Sequence, residues 1–597
     1  MTIIAEKFYS GLYADIVAEL IDSPTSKRLT APDAVYATGS LSFLGRTDEA
    51  DAIFDANQRQ MTLRESMESR FYLVLAHRRL RKKSSTRKAS LILVSMFKDL
   101  RLSGSSDDFV KYFFFCSLAF FRYTDTRLTQ ALKWARKAYD HAFRAQFSFG
   151  RLVGYDLMGH AQLNLGEIRA GIKNLNNSSA IADALGRGAI RQSTEVSLRL
   201  YRSTFGLDRA SVLLAELEGA IRASSFENSY TLANLYIELA RLQILSGSGH
   251  IAEQSLKEAG DWVYKLDQPF FDANLSFRYA HLACLKGDYK KALELVRSAK
   301  MRVSEANDAA METRILGLEA KILLQSGKTT ESETLAGEIR HLEAKSGLLL
   351  ARRINERLGI SPREDIRRGE DLLGDLMDDL AYHATDIRER ILDSGFLGLI
   401  PSLIEVPQFS QAILFGYLGD SVTILAKGHV RHEPDGWPDL VKKLFLALAA
   451  QSELNKEEIT VKVWNQVYNP LRHDPLIYAL VARARKMLEP YDAWLTVNDG
   501  KYLIDQAITI RDISQKITAP QNRPHVASEL LARHPDLSAR HAKIMDLCEQ
   551  MGNITNKDVC DAFKTTEVTA GRDLTELVKK GLLRRLGKGR ATSYAKA

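Results

Sequence analysis

Apolar residues recur in blocks at helical spacing through the first part of the chain, and glycine punctuates the blocks at a steady interval. Gly166, Gly206, Gly247, Gly287 and Gly327 fall 40, 41, 40 and 40 residues apart, each between two apolar helical stretches. The clearest copy is Ala280-His281-Leu282-Ala283-Cys284-Leu285-Lys286-Gly287-Asp288-Tyr289-Lys290-Lys291-Ala292-Leu293-Glu294. One helix ends at Gly287, which accepts the left-handed conformation of a C-terminal cap, and a second amphipathic helix begins. Gly45, followed by Arg46-Thr47-Asp48-Glu49-Ala50, is an earlier copy, and the segments around Lys83 and Thr126 keep the interval without the glycine. No single helix pair buries its own apolar face, so the pattern predicts a stack of about eight pairs, an α-solenoid. The run from Tyr112 to Phe121 is too short to span a bilayer and reads as a buried repeat helix.

The turn Gly287-Asp288-Tyr289-Lys290-Lys291-Ala292 resembles tetratricopeptide repeats, in particular the longer repeats of bacterial signal-integrating regulators. That resemblance implies a concave surface for a partner protein or a small effector. A plain superhelical α-stack is the alternative and has the same use.

The array is expected to end near Ile360-Ser361-Pro362-Arg363-Glu364-Asp365, with a helical connector after it. Ala412–Tyr417 and Ser421–Ala426 then read as strands about the turn Gly419-Asp420. Helices are expected over Pro438–Gln451, Lys456–Gln466 (capped by Asn455) and Asp474–Leu488, with a turn over Tyr468–His473. A hairpin about Asn498-Asp499-Gly500 closes the segment. This order, with Val463-Trp464, Arg485-Lys486-Met487-Leu488 and Asp499-Gly500-Lys501-Tyr502, resembles the winged helix of OmpR-type response regulators. The candidate DNA contacts it implies are Arg472, His473, Tyr478, Arg483, Lys486 and Lys501. The window Gly436–Asp505 holds nine basic and nine acidic residues, so a structural or dimerising role stays open beside DNA contact.

The final segment is expected to fold as helices Ala539–Gln550, Asn556–Phe563 and Val568–Lys580, followed by a basic, glycine-containing wing. Thr569-Ala570-Gly571-Arg572-Asp573-Leu574, Leu577, Gly581-Leu582-Leu583 and Gly587-Lys588-Gly589-Arg590 resemble the winged helix of DeoR-type regulators. Val568, Leu574, Leu577, Val578 and Leu582 are assigned to a buried face. Thr566, Glu567, Thr569, Arg572 and Thr575 are left for the major groove, with Arg584, Arg585, Lys588 and Arg590 for phosphates or a narrow minor groove. Gly571 inside the recognition helix departs from good helix chemistry by roughly 1 kcal/mol. A surface pair between Arg572 and Asp573 is the bland reading of that dipeptide.

The expected class is therefore mainly α: a TPR-like solenoid (1–365), a helical connector (366–405), an OmpR-type winged helix (406–510), a linker (511–537) and a second winged helix (538–597). Composition changes this little. The chain has 597 residues, 82 basic and 74 acidic, and a net charge of +8, so nucleic-acid binding rests on local clusters. From Leu577 onward there are seven basic residues and no acidic one. Four scattered cysteines, Cys116, Cys284, Cys548 and Cys560, form no CxxC pair, which fits a reducing cytoplasm and argues against a zinc site. The N-terminus carries acidic residues inside its apolar stretches and does not read as a signal peptide.

Other motifs are bland. Ser326-Gly327-Lys328-Thr329 ends like a phosphate-binding loop, but Ile322 stands where its first glycine belongs. His429 and His432 read as a solvated loop, His534 and His541 as surface residues. The cluster Arg78-Arg79-Leu80-Arg81-Lys82-Lys83 reads as a solvated repeat turn, a phosphate contact or a docking patch. No catalytic constellation, metal set or cofactor fingerprint is present. The function expected is a non-enzymatic transcription regulator that binds double-stranded DNA, senses a protein or small effector on its repeats, carries no membrane span, and gains a doubled site if it forms a homodimer. The alternative is a scaffold whose repeats and winged helices all dock protein.

Overall fold

The computed structural model describes residues 3–22, 29–80, 82–224, 229–266, 268–306, 308–358, 370–381, 386–403, 411–426 and 428–513, and near the end 540–541, 544–545, 547–548, 553–563, 565–587 and 592–596. The chain divides into two compact units, Met1–Lys516 and Ile517–Ala597.

The first unit is an α-solenoid. After the short helices Ile3–Tyr9 and Tyr13–Leu20, helices pack in consecutive pairs, from Ala31–Phe43 with Thr47–Asn57 to Ala309–Gln325 with Thr329–Ser346. The turns inside the pairs are alike. In seven of them an amide two or three residues past the helix end donates to a carbonyl five residues back: Arg46 to Leu41, Arg127 to Arg122, Glu167 to Gln162, Leu207 to Arg202, Asp288 to Ala283 and Lys328 to Leu323, all at 2.9 Å, and Ser248 to Gln243 at 2.7 Å. That bond closes only if the residue before the donor is left-handed. Six turns place a glycine there, and in the seventh Thr126 adopts φ +57°. The sequence interval without its glycine was therefore a true copy. Ser326-Gly327-Lys328-Thr329 is one of these turns.

The core is built from small residues where helices cross, such as Ala131, Ala135, Ala138 and Ala142, and from an aromatic cluster of Phe8, Tyr72, Tyr112 and Phe113. The Tyr112–Phe121 run lies on the helix Asp108–Thr124, with Tyr112, Phe113 and Cys116 buried. Glu68 is buried beside the cluster, accepting from Tyr72 Oη at 3.1 Å and Tyr9 Oη at 3.4 Å. Within the basic cluster at 78–83, Arg79, Lys82 and Lys83 are exposed and Arg81 lies outside the described residues, but Arg78 is buried, donating to Thr124 Oγ1 at 2.7 Å and Thr86 Oγ1 at 2.6 Å, over the Phe121 ring.

A connector returns along the glycine turns. The helix Leu349–Arg357 follows the last pair, then Leu372–Ala381, Ile387–Ser394 and Ile400–Leu403. A Cβ on Gly166 would come within 2.7 Å of Leu349, one on Gly206 within 2.7 Å of Leu373, and one on Gly247 within 2.7 Å of Val430. Glycine is thus required twice at these turns, for φ and for close approach. Arg353, 2% exposed, ties the connector down through Asp375 (2.9 Å), Asp378 (2.6 Å) and Asp371 (3.5 Å).

The middle module follows. Strands β1 (Gln411–Phe415), β2 (Val422–Ala426) and β3 (His429–Glu433) are antiparallel, and β7 (Thr509–Asp512) runs parallel to β1, in the order β3-β2-β1-β7. Between them come helix Asp439–Gln451, strand β4 (Glu453–Leu454), helix Lys456–Ile459 with a wide turn Thr460–Trp464, helix Pro470–Leu488, and the hairpin β5 (Leu495–Asn498) and β6 (Lys501–Ile504), which pairs with β4. Asn455 caps its helix in a reciprocal box with Glu458. The β2–β3 turn is seated on the array: Gly249 N donates to Gly428 O, and Val430 N to Gly247 O, both at 2.8 Å.

Two expectations are corrected here. The third helix starts at Pro470, not Asp474, because Pro at the first helical position needs no amide partner and Asn469 caps it. His429 and His432 lie on strand β3, not in a solvated loop, with His432 Nδ1 2.9 Å from Thr423 Oγ1.

Two stability effects follow. Replacing Thr126 by glycine removes a left-handed β-branched residue and should stabilise the unit by about 1 kcal/mol in denaturant unfolding. Burial pushes the Glu68 carboxyl up to about 7 from its ordinary 4.5, against the hydrogen bond from Tyr72 and the charge of Arg64. The folded state therefore holds the proton more tightly than the unfolded chain, and stability falls as pH rises through 4.5 to 7. Glu68→Gln should abolish roughly 1–3 kcal/mol of that loss, so its unfolding midpoint should exceed wild type at pH 8 by more than at pH 5. An equal difference at both values would reject the assignment.

Candidate nucleic-acid interface

The last unit is built around Ile544, Met545, Cys548, Ile554, Val559, Ala570, Leu574, Leu577 and Leu583. Helical residues at 540–541, 544–545 and 547–548 precede strand β8 (Asn553–Ile554). Helix Asn556–Phe563 is started by a reciprocal pair, Thr555 N to Asp558 Oδ2 at 2.7 Å and Asp558 N to Thr555 Oγ1 at 3.3 Å. The Thr555 hydroxyl, which donates to Asp558 Oδ2 at 2.7 Å, and the Thr555 amide together hold that carboxyl below its usual range. Helix Glu567–Lys579 follows, with Thr566 as its cap. Strands β9 (Leu583–Leu586) and β10 (Ser593–Lys596) complete the sheet β8-β10-β9, pairing Arg585 with Tyr594 and Arg584 with Ala595. This is a helix-turn-helix with a β wing.

The recognition helix presents a mixed stripe. Arg572 is exposed and makes no ion pair among the described residues. The alternative reading of Arg572 and Asp573 as a surface ion pair does not hold. Asp573 is buried, 5% exposed, and accepts from Arg540 at 2.6 and 3.0 Å with His541 at 3.4 Å. His541 is likewise buried, not a surface residue, because the carboxylate needs a partner within the core. By tying Asp573 inward, these residues leave the Arg572 guanidinium uncommitted. Val568 departs from its assignment to the core: it is 73% exposed, and Ala570 takes the buried place. Val568, Arg572 and Thr575 stand at i, i+4 and i+7 on one side of the helix. Ala570, Leu574 and Leu577 form the buried triplet of the helix. Thr566 is exposed with its oxygen 3.0 Å from Thr569 Oγ1, and Thr575 Oγ1 donates to Gly571 O at 2.6 Å.

On the wing, Arg584 and Arg585 are exposed, and Arg585 Nη2 donates to Thr592 Oγ1 at 3.3 Å. Lys588 and Arg590 lie outside the described residues.

The middle module offers a different surface. Arg472, Arg483 and Lys486 are exposed without ion pairs among the described residues. His473 is buried instead, 2% exposed, accepting from Asn469 N at 2.8 Å, because the early helix start turns it into the core. Tyr478 accepts from Lys456 Nζ at 2.9 Å, and that ammonium also meets Asp474 at 2.7 Å. Lys501 is paired with Glu453 at 2.6 Å. What stands out is apolar: Val467 is 88% exposed, Leu471 94% and Tyr478 56%.

Gly571 is not imposed by space. A Cβ there would find its nearest neighbour, Asn556 Nδ2, at 3.7 Å, an ordinary contact. Gly571→Ala should stabilise the last unit by roughly 0.5–1 kcal/mol, read as a higher unfolding midpoint of that unit. Destabilisation would show that the glycine serves close packing.

Among solved structures the chain is similar to a Rap protein complexed with competence and sporulation factor, at 14% identity and TM-score 0.42, over 55% of this chain and 96% of that one. It is also similar to aspartyl phosphate phosphatase F from Bacillus subtilis, at 13% identity and TM-score 0.37, over 61% and 95%. No curated protein matches. The family description "DeoR-like helix-turn-helix domain" matches residues 540–596, the segment whose helices and wing are described above.

Proposed function

We propose that this chain is a DNA-binding transcription regulator whose C-terminal helix-turn-helix reads promoter DNA and whose repeat array senses a protein or small-molecule effector. The observation that carries the proposal is the recognition helix: an uncommitted Arg572 flanked by Val568 and Thr575, beside a wing bearing Arg584 and Arg585, on a segment that matches the DeoR-like domain. Arg572 suits bidentate hydrogen bonding to guanine, and Val568 suits apolar contact with a thymine methyl. The wing arginines, with Lys588 and Arg590 from the sequence, suit phosphates.

The order of four-stranded sheet, helices and terminal hairpin supports an OmpR-type reading of the middle module. Its surface favours a protein partner there over DNA: Val467 and Leu471 crowd the turn before the third helix, and the charges balance. The last unit is then the main DNA contact, and the middle module docks protein or holds the assembly.

A gel-shift titration with fragments that the intact protein recovers from sheared genomic DNA tests this. Arg572→Ala should reduce preference for those fragments over random DNA by about tenfold, at a cost of 1–3 kcal/mol. Arg584→Ala with Arg585→Ala should weaken all fragments alike and lower the salt slope by roughly 1–2. Unchanged affinity and slope in both variants would remove the last unit as the DNA contact and favour the scaffold reading.

A further inference from the structure

Three consecutive first helices of the array, Ser229–Leu245, Pro269–Leu285 and Ala309–Gln325, present the same face one repeat apart. The forty-residue register puts Arg241, His281 and Lys321 in equivalent places, and likewise Glu238, Arg278 and Leu318. Within a helix, Arg278 and His281 are three apart, and Arg314 and Lys321 are seven apart, so each set lies on one side. Neighbouring helices in such a stack are about 8–10 Å apart, which brings the long side chains to one place.

The charges there do not balance. The carboxylate of the cluster is Glu238, and it is committed: Arg241 grips both its oxygens at 2.8–3.0 Å and Ser203 Oγ donates to it at 2.7 Å. Arg278 is 6% exposed, and its Nε has no hydrogen-bond partner. Neither Arg278 nor Arg314 forms an ion pair among the described residues. Lys321, at the exposed rim, reaches the hydroxyl of Ser402 at 3.5 Å. The groups also feel one another. Burial pushes Arg278 down to about 9, with Arg241 and Arg314 adding to the effect against Glu238. Burial lowers Arg314 too, and holds His281 well below its usual value with the help of Arg278, Lys321, Arg241 and Arg314. A buried cation left without its anion is costly.

We infer that this face is a binding site for a ligand bearing an oxyanion, carboxylate or phosphate, with Arg278 and Arg314 as its hydrogen-bonding cations and Lys321 at the rim. Guanidinium groups suit such oxyanions because their donors match two oxygens at once. The site rests on the effector-sensing reading of the array and names the chemistry of what it senses. Ligand charge would offset the repulsion among these cations, coupling occupancy to the stability of three successive repeats and of the connector beside them.

The test uses the full chain, titrated calorimetrically and followed by thermal unfolding, with sodium pyrophosphate or trisodium citrate against sodium chloride at equal ionic strength. At least one anion should bind saturably and raise the midpoint beyond the chloride control. Pyrophosphate alone points to a phosphate ligand, citrate alone to a carboxylate. Arg278→Met should weaken that binding by about tenfold or more while unfolding, ligand-free, no earlier than wild type. Lys321→Met, at an exposed position, should weaken it with no change in fold. Arg584→Ala with Arg585→Ala should leave it unchanged, which separates this site from phosphate held by the wing. If neither anion exceeds chloride, or both array variants bind like wild type, the site is refuted. DNA binding measured on the same samples keeps the two readings apart: it survives failure of the anion site, and its own failure leaves the anion result standing.

Discussion

The first unit depends on a row of left-handed turns. Seven of the helix pairs close through the same backbone bond, and that bond demands positive φ at one residue. Glycine meets the demand without strain and leaves no side chain above the turn. The bare backbone becomes a track on which Leu349, Leu373 and Val430 lie in contact. At Gly247 the track becomes a hydrogen-bonded bridge to the β2–β3 turn, so the sheet of the middle module is an extension of the repeat row. A conformational requirement inside each repeat thereby sets where the following segment can dock.

Ion pairing follows a rule and one exception. Arg353 is surrounded by three aspartates, Arg241 by Glu238, and Asp573 by Arg540 and His541. Those pairs fasten one element to the next, and at Asp573 the fastening also frees the neighbouring arginine. The cations of the helices Pro269–Leu285 and Ala309–Gln325 are collected by the repeat register without acids to match. Since unpaired buried charge works against folding, the exception marks a place where another molecule completes the electrostatics.

The middle module and the last unit differ for a related reason. In the middle module the basic side chains Lys456 and Lys501 are committed to Asp474 and Glu453, and the prominent groups at its turn are apolar. In the last unit the recognition helix keeps an uncommitted arginine and the wing exposes Arg584 and Arg585.

Periodicity alone was enough to indicate the helical stack and its glycine turns, because helix amphipathicity and left-handed caps are local properties written in adjacent residues. The helix Asn556–Phe563 and the Asn455 cap were legible on that ground. Exposure was less so. Val568 and Ala570 are both acceptable core residues, and only the packing against Leu574 and Leu577 chose between them. His473 went inward because the helix began four residues early, and Arg78 because two hydroxyls waited for it from other helices. The seating of the connector on the glycine turns, and the meeting of Arg278, Arg314 and Lys321, belong to tertiary structure alone. They join residues tens to hundreds apart, and no local pattern records which distant side chain will come to share a buried site or whether it brings the opposite charge.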